Sequence, residues 1–333
     1  MQYFTLIKSS IVCTAFLVLT TTFAHAKALT IYSGRSERLI GPILKQFEKD
    51  SGIKLNVRYG KTPQLAAAIM EEEKNSPADL FFSQDAGALG VLATEGLSQI
   101  IDSELLSKVD SRFISSEGLW IGITGRARTV DYNTVLVNPV DLPKTIWGFI
   151  DKRWANGRIG WAPSNSSFQS FVAGFLALEG EEKTREWLRA IQSNKPQVYP
   201  NNTAIVAALG RGEIEVGFVN NYYLQRFLKT NVQFPVAHHY TRGDAGSMMN
   251  VAGIAILKTS KKKTEVNALI AFLLSDQVQL RFATETFEYP LVKTVTVQGS
   301  QKSLKEVPSP KMDLSDLKGI RKAVKILQEE SVL

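Results

Sequence analysis

Short apolar strands alternate with helical patterns between residues 29 and 94, and this alternation constrains the fold of the chain more than any other feature. In the first helical stretch the apolar side chains are spaced by three and four residues, and in the second strand they alternate at residues 53, 55 and 57. Strands are predicted at residues 29–32, 53–57 and 79–83, and helices at residues 39–47, 65–74 and 86–94. Three strand–helix pairs in succession predict an α/β protein with a mainly parallel, doubly wound sheet.

The loops that follow two of these strands are polar. Residues 33–36 and residues 83–85 come directly after the first and third strands. Ligands of doubly wound sheets bind beyond the carboxyl ends of the strands. The sequence therefore predicts that both loops face one binding site.

A second alternating series follows a long extended run at residues 120–132, and another extended run at residues 236–240 closes it. The further predicted elements are strands at 159–162, 215–219 and 251–257 and helices at 168–178, 184–191, 204–209, 223–228, 266–282 and 314–327. This order predicts two α/β lobes joined by extended crossover strands. We expect residues 27–127 with 250–300 to form the N-terminal lobe and residues 128–249 with 301–333 to form the C-terminal lobe.

Residues 1–26 have the pattern of a cleavable secretory signal peptide: Lys8, an apolar run, and a small-residue site ending at Ala26. An uncleaved anchor is the alternative. Cys13 lies within the apolar run rather than at the cleavage point, so no lipid anchor is predicted. Cleavage would leave 307 of the 333 residues, with no cysteine and a net charge of +6, because only Lys8 is lost from +7. The expected location is the periplasm.

Composition and motifs argue against several classes of protein. One cysteine excludes a disulfide framework and a zinc–cysteine site. The basic run at residues 258–263 contains no aromatic residues, so nucleic-acid binding is not predicted. No Gly-x-Ser-x-Gly, His-Glu-x-x-His or P-loop motif occurs, and His238 and His239 would point to opposite faces of a strand. We therefore expect a binding protein, and a secreted hydrolase is the least favoured class.

The most informative local pattern is Asn220-Asn221-Tyr222-Tyr223, which lies between a strand and a helix. At a helix N-terminus both phenols can face outward, and the partial positive charge there would lower their pKa. Two phenolates are hard oxygen ligands that suit a hard cation, and a 3+ ion would complete their deprotonation. The alternative is that the rings pack beneath the helix.

Small polar clusters at residues 164–167 and 201–203 also begin helices. Backbone N–H groups and hydroxyls at such turns hold anions, although each cluster is also compatible with an ordinary helix cap.

Together these segments resemble the periplasmic ferric-ion-binding proteins of bacterial ABC importers, over about residues 29–292. The resemblance is carried by residues 32–35 (YSGR), 76–82 (SPADLFF), 122–128 (GITGRAR), 220–223 (NNYY) and 288–291 (EYPL). It implies a type II periplasmic-binding-protein fold that closes on Fe³⁺ carried as cargo. It also implies delivery to an inner-membrane ABC permease with a cytoplasmic ATPase, by a protein that works as a monomer.

The resemblance further implies a ligand set. Tyr222 and Tyr223 would bind the iron as phenolates, and Glu37 and Gln84 stand where other members have further ligands. Carbonate or phosphate would be the synergistic anion. Its implied binding positions are Asn165, Ser166, Ser167, Asn202 and Asn220. A receptor for an oxyanion or a phosphorylated small molecule on the same scaffold is the alternative function.

Overall fold

The computed structural model describes residues 28–296 and 302–333. The predicted signal peptide lies outside this part of the chain. In the described residues, no helix is both long enough and apolar enough to cross a membrane.

Most of the predicted elements are present, with ends that differ by a few residues. The strands are β1 (Leu29–Ser33), β2 (Leu55–Tyr59), β3 (Leu80–Ser83), β4 (Ser98–Gln99), β5 (Ile121–Asn133), β6 (Ile159–Trp161), β7 (Gln197–Val198), β8 (Val216–Asn220), β9 (Val236–His239), β10 (Met249–Leu257) and β11 (Tyr289–Pro290). The helices are α1 (Glu37–Ser51), α2 (Thr62–Glu72), α3 (Ala86–Thr94), α4 (Ser103–Ser107), α5 (Ser166–Glu179), α6 (Glu181–Ser193), α7 (Asn202–Arg211), α8 (Asn221–Thr230), α9 (Lys263–Leu273), α10 (Asp276–Arg281) and α11 (Ile320–Glu329).

The strands form a continuous sheet in the order β2-β1-β3-β10-β5-β8-β6-β7. Pairing is parallel between β1 and its neighbours β2 and β3, and again between β6 and its neighbours β7 and β8. The two strands at the centre, β10 and β5, run antiparallel to each other and to the strands beside them. The two parallel units are therefore joined through a pair of long crossover strands, which confirms the predicted fold class.

Two main hydrophobic cores meet at β5, whose first half packs into one core and whose second half packs into the other. One is built around β1, β3 and β10, and the other around α5, α6 and β8, with a smaller cluster between α7 and α8. The C-terminal segment contacts both main cores, since Leu314 and Leu317 pack into the first and Ile326 and Leu327 into the second. The lobe boundaries given above stay predictions.

Two helix predictions are wrong in their continuity. The apolar stretch at residues 266–282 is not one helix, because α9 ends at Leu273 and the Ser275 hydroxyl caps a new helix, α10. A π-helical turn, Phe282–Thr286, then follows. The C-terminal helix begins as a 3₁₀ turn, Leu314–Gly319, and is α-helical only from Ile320.

Thr62, the first residue of α2, joins two loops. The helix is preceded by Lys61, and the Thr62 hydroxyl accepts a hydrogen bond from the Gln84 backbone N–H over 3.0 Å. A Cβ atom at Gly34 would lie 1.9 Å from the Thr62 hydroxyl oxygen, so only glycine permits this approach. The loops after β1 and β3 therefore meet at one place, as the sequence predicts.

A buried ion pair stands behind these loops. The Arg35 guanidinium donates two hydrogen bonds of 2.8 Å to the two Glu288 carboxylate oxygens, and its side chain is 0% exposed. The rings of Phe82 and Phe282 lie 6.0 and 5.9 Å from the guanidinium carbon. Burial acts to raise the pKa of Glu288, but Arg35 holds that pKa below its ordinary value. The loop after β1 is thereby joined to the segment just before β11.

Replacing Glu288 by glutamine leaves Arg35 buried without a counter-ion, so the free energy of unfolding should fall by about 3–5 kcal/mol. Urea unfolding followed by circular dichroism measures the change. Glu285→Gln is the matched control, because the Glu285 side chain is 55% exposed where it pairs with Arg281. The control should lose less than about 1 kcal/mol. Equal losses in the two variants would contradict a stabilising role for the buried pair.

Candidate functional site

A polar cavity of about 110 Å³ lies against the crossover strand β5, with α3 on one side and α5 and α8 on the other. Its lining is rich in amide, hydroxyl and guanidinium groups. The lining residues are Gln84, Asp85, Arg126, Arg128, Asn165, Ser166, Ser167, Ser170, Asn220, Tyr222, Tyr223, Met248 and Asn250. Within the described residues, no cluster of three or more His, Cys, Asp or Glu side chains is placed to hold a metal ion.

The tyrosine pair occupies the first turn of α8 and lines this cavity. The rings of Tyr222 and Tyr223 are half-buried, with centroids 4.4 Å apart and planes inclined by 32°. The sequence pattern leaves open whether the rings pack beneath the helix. Both rings line the cavity, and Tyr223 also packs against the small hydrophobic cluster between α7 and α8. Two phenolic oxygen donors are therefore available side by side.

Helix α8 begins without a side-chain cap. Asn220 stands at the cap position, but its side chain makes no capping hydrogen bond and instead accepts one from Arg128 Nη1 over 3.0 Å. The first-turn N–H groups of α8 are thus left uncapped by this side chain, and such a helix end favours negative charge.

The prediction that the helix N-terminus lowers the pKa of the phenols is wrong for Tyr223 in the metal-free protein. Burial, and then the neighbouring Tyr222 phenol, raise the pKa of Tyr223, while Arg226 and Arg126 act to lower it by less. The Arg226 guanidinium carbon lies 5.1 and 5.2 Å from the two ring centres. The neutral phenol is therefore favoured until a cation displaces its proton.

The serine turn before α5 is held in place by amide side chains. Asn165 caps α5, and its Oδ1 accepts from the Ser167 backbone N–H over 3.0 Å and from the Ser167 hydroxyl over 2.7 Å. Asn202 Nδ2 donates to the Ser167 hydroxyl oxygen over 2.9 Å, and Asn202 Oδ1 accepts from the Asn220 N–H over 3.2 Å. Of the five predicted anion positions, only Asn202 lies behind the cavity wall, where it joins the α5 turn to β8.

Arg126 and Arg128 are cavity residues that the sequence reasoning left out of the site. Their side chains lie on one face of β5 because they are two residues apart, and only 8% and 4% of their surface is exposed. Arg126 Nη2 donates to the Gln84 carbonyl, whereas its buried Nη1 has no hydrogen-bond partner among the described residues. Burial lowers the pKa of Arg128 to about 10. Two arginines spaced by two within the long extended run at residues 120–132 are the signal that identifies them.

The candidate further ligands lie in different places. Gln84 lines the cavity, and its Oε1 accepts a 3.4 Å hydrogen bond from Arg35. Asp85 also lines the cavity but caps α3 through the Ala88 N–H, and burial raises the pKa of its carboxyl. Glu37 lies outside the cavity lining, exposed in the first turn of α1 and close to Tyr59.

The adjacent histidines point apart, as the strand geometry predicts. His238 Nδ1 lies 2.6 Å from the buried Asp131 carboxylate, and its Nε2 lies 3.1 Å from the Gln225 amide nitrogen. His239 Nε2 lies 2.7 Å from the Pro143 carbonyl oxygen instead. The two rings therefore form no metal-binding pair.

A pH-dependent stability follows from the raised pKa of Tyr223. The folded protein holds this proton more tightly than the unfolded chain, so the free energy of unfolding should fall as pH rises through the ordinary phenol value of about 10. Tyr223→Phe removes this effect. Urea unfolding of metal-free protein at about pH 8 and about pH 11 should show a smaller loss of stability in the variant. The same loss in both proteins would contradict the raised pKa.

The model of the family described as bacterial extracellular solute-binding protein matches residues 43–308 of this chain. The chain is 31% identical to iron uptake protein A1 of a Synechocystis species, over 92% of this chain and 88% of that protein. It is 28% identical to the major ferric iron-binding protein of Neisseria meningitidis, over 90% of this chain and 92% of that protein.

The fold is also similar to that of solved structures. The crystal structure of iron-bound HitA from Pseudomonas aeruginosa superimposes with a TM-score of 0.81 at 31% sequence identity. The alignment covers 91% of this chain and 99% of the HitA chain.

Proposed function

The chain belongs to the bacterial extracellular solute-binding proteins, within them to the periplasmic ferric-ion-binding family, and we propose that it captures Fe³⁺ in the cavity beside β5. Tyr222 and Tyr223 bind the ion as phenolates. A synergistic carbonate or phosphate completes the site, and the loaded protein delivers iron to an inner-membrane ABC permease with a cytoplasmic ATPase. We place this monomeric carrier in the periplasm after cleavage at residue 26. This role is transport rather than catalysis.

The observation that carries the proposal is the pair of half-buried phenols side by side at an uncapped helix N-terminus. Phenolate oxygens are hard donors and suit a hard trivalent ion. No cluster of carboxylates, histidines or cysteines in the described residues offers a competing metal site. Gln84, Asp85, the bound anion and water supply the remaining ligands.

The charges around the cavity support the presence of an anion. Fe³⁺ with two phenolates keeps one net positive charge, and the buried Arg126 and Arg128 add two more. A dianion next to the iron offsets two of these three positive charges. Arg126 Nη1 and the uncapped turn of α8 are the donors available to such an anion.

Closure of two lobes around the cavity completes the mechanism. Residues 27–127 with 250–300 form the N-terminal lobe of the proposal, and residues 128–249 with 301–333 form the C-terminal lobe. Gln84 and Asp85 stand on one wall, whereas Tyr222 and Tyr223 stand on the other. Closing the lobes excludes water, which strengthens the electrostatic attraction between ion, phenolates and anion.

A second function is favoured by the same arginines. A receptor for an oxyanion or a phosphorylated small molecule would use Arg126, Arg128 and the serine turn without iron. Such a receptor predicts thermal stabilisation by organic phosphates in the absence of metal.

The iron proposal is tested by titrating metal-free protein with ferric citrate and bicarbonate. Phenolate-to-iron charge transfer should produce a visible absorption band that saturates. Tyr222→Phe combined with Tyr223→Phe should abolish the band, and Tyr199→Phe is the control because Tyr199 lies outside the cavity lining. A colourless titration, or a band that persists in the double variant, would reject phenolate ligation at this site.

The anion proposal is tested with Arg126→Gln, which removes the charge facing the cavity. Competition with a chelator at increasing bicarbonate or phosphate measures how strongly the anion supports iron binding. We expect this support to weaken by about tenfold, because a charge-assisted hydrogen bond is lost. Arg112→Gln is the control, since Arg112 is exposed beside Asp110. An unchanged anion dependence in Arg126→Gln would contradict the assigned role.

A further inference from the structure

One edge of β5 is interrupted close to the tyrosine pair. On the side away from β10, β11 pairs with Thr124 and Gly125, and β8 pairs from Arg128 onward. Neither strand covers the intervening positions, Arg126 and Ala127. The N–H of Arg128 points to the other edge, where it donates to the Met248 carbonyl. Because successive N–H groups of a strand alternate in direction, the Ala127 N–H points into the gap.

The Asn221 side chain fills this gap. Its Oδ1 accepts from the Ala127 N–H over 2.9 Å, and its Nδ2 donates to the Phe287 carbonyl over 3.3 Å. The side chain is 0% exposed. One amide group therefore replaces the missing strand contacts between the end of β8 and the start of β11. Removing it would leave the Ala127 N–H buried without this acceptor, which is costly.

Asn221 is the first residue of α8, and Tyr222 and Tyr223 follow it directly. The hydrogen bond that Asn221 accepts from the Ala127 N–H holds the first helical turn against β5. The bond that Asn221 donates to the Phe287 carbonyl holds the same turn at a second point. The orientation of the phenol oxygens relative to the cavity depends on both.

The Phe287 end of the contact is connected to the opposite wall of the cavity. Phe287 has a φ of 60°, an uncommon conformation for a residue other than glycine. Its chain neighbour Glu288 forms the bidentate pair with Arg35, and Arg35 donates to Gln84 at the cavity. Three side-chain contacts and one peptide link therefore connect the two walls behind the cavity.

We propose that Asn221 is the positioning residue of the tyrosine pair, holding the first turn of α8 against β5 and the Phe287 carbonyl so that both phenolates meet one metal ion. This role rests on the proposed iron-binding function. Asn221 does not line the cavity and touches neither metal nor anion. It acts through the orientation of Tyr222 and Tyr223.

The test compares full-length Asn221→Ala, Asn133→Ala and the unsubstituted protein, each loaded with ferric citrate and bicarbonate. Asn133 is the matched control because its buried amide also joins two backbone segments: its Oδ1 accepts from the Val135 N–H over 2.8 Å and its Nδ2 donates to the Leu209 carbonyl over 2.7 Å. It lies outside the cavity lining. We expect Asn221→Ala to shift the maximum of the charge-transfer band and to release iron to excess chelator at least about tenfold faster. Asn133→Ala should leave the band and the release rate unchanged.

A second variant guards against loss of folding. Asn221→Asp keeps an acceptor for the Ala127 N–H, but it places a carboxylate oxygen next to the Phe287 carbonyl oxygen, and these two oxygens repel each other. This variant should therefore shift the band, and it serves as the test if Asn221→Ala does not fold. A folded Asn221 variant with an unshifted band and unchanged release would overturn the positioning role. Absence of a band in the unsubstituted protein would instead reject the iron-binding function itself.

Discussion

Strand β5 is the element on which the rest of the structure depends, because both walls of the cavity are built on its edges. It pairs with β10 and β11 in its first half and with β8 and β9 in its second half, and every one of its residues is buried. A strand with partners on both edges cannot slip by one residue without reversing the faces of all its side chains. The positions of Arg126 and Arg128 at the cavity follow from this register.

Burying two arginines beside a cavity is costly unless negative charge comes close to them. Arg35 meets this requirement inside the protein through Glu288. Arg128 has an amide oxygen as its hydrogen-bond partner, and Arg126 has a backbone carbonyl. Neither hydrogen-bond partner carries a charge, although carboxylates of Asp85, Glu288 and Asp131 act on the two arginines from nearby. Phenolates that form only on metal binding, together with a small oxyanion, meet this requirement in the proposed function.

The sequence predicted most of the fold because its apolar periodicity is strong. The spacing of apolar residues in α1 and the short apolar runs of the strands are evident in the sequence, and the asparagines of the α5 and α7 turns lie where helix caps are expected. Breaks within apolar stretches were missed, since a hydroxyl cap such as Ser275 leaves the spacing of apolar residues unchanged.

The candidate site was predicted only in part. Local patterns identified Tyr222 and Tyr223, because their chemistry is evident from adjacent residues. They did not identify Arg126, Arg128 or the bridging role of Asn221, which depend on strands brought together from distant parts of the chain. The pKa of Tyr223 was predicted in the wrong direction, because burial outweighs the helix N-terminus in the metal-free protein.

Resonance Raman spectroscopy of the iron-loaded protein tests the central claim most directly. Excitation within the visible band should enhance the ring vibrations of coordinated tyrosinate, and these vibrations should be lost when Tyr222 and Tyr223 are both replaced by phenylalanine. Iron that binds without any enhanced tyrosinate vibration would contradict the account, because the metal would then be held by other groups.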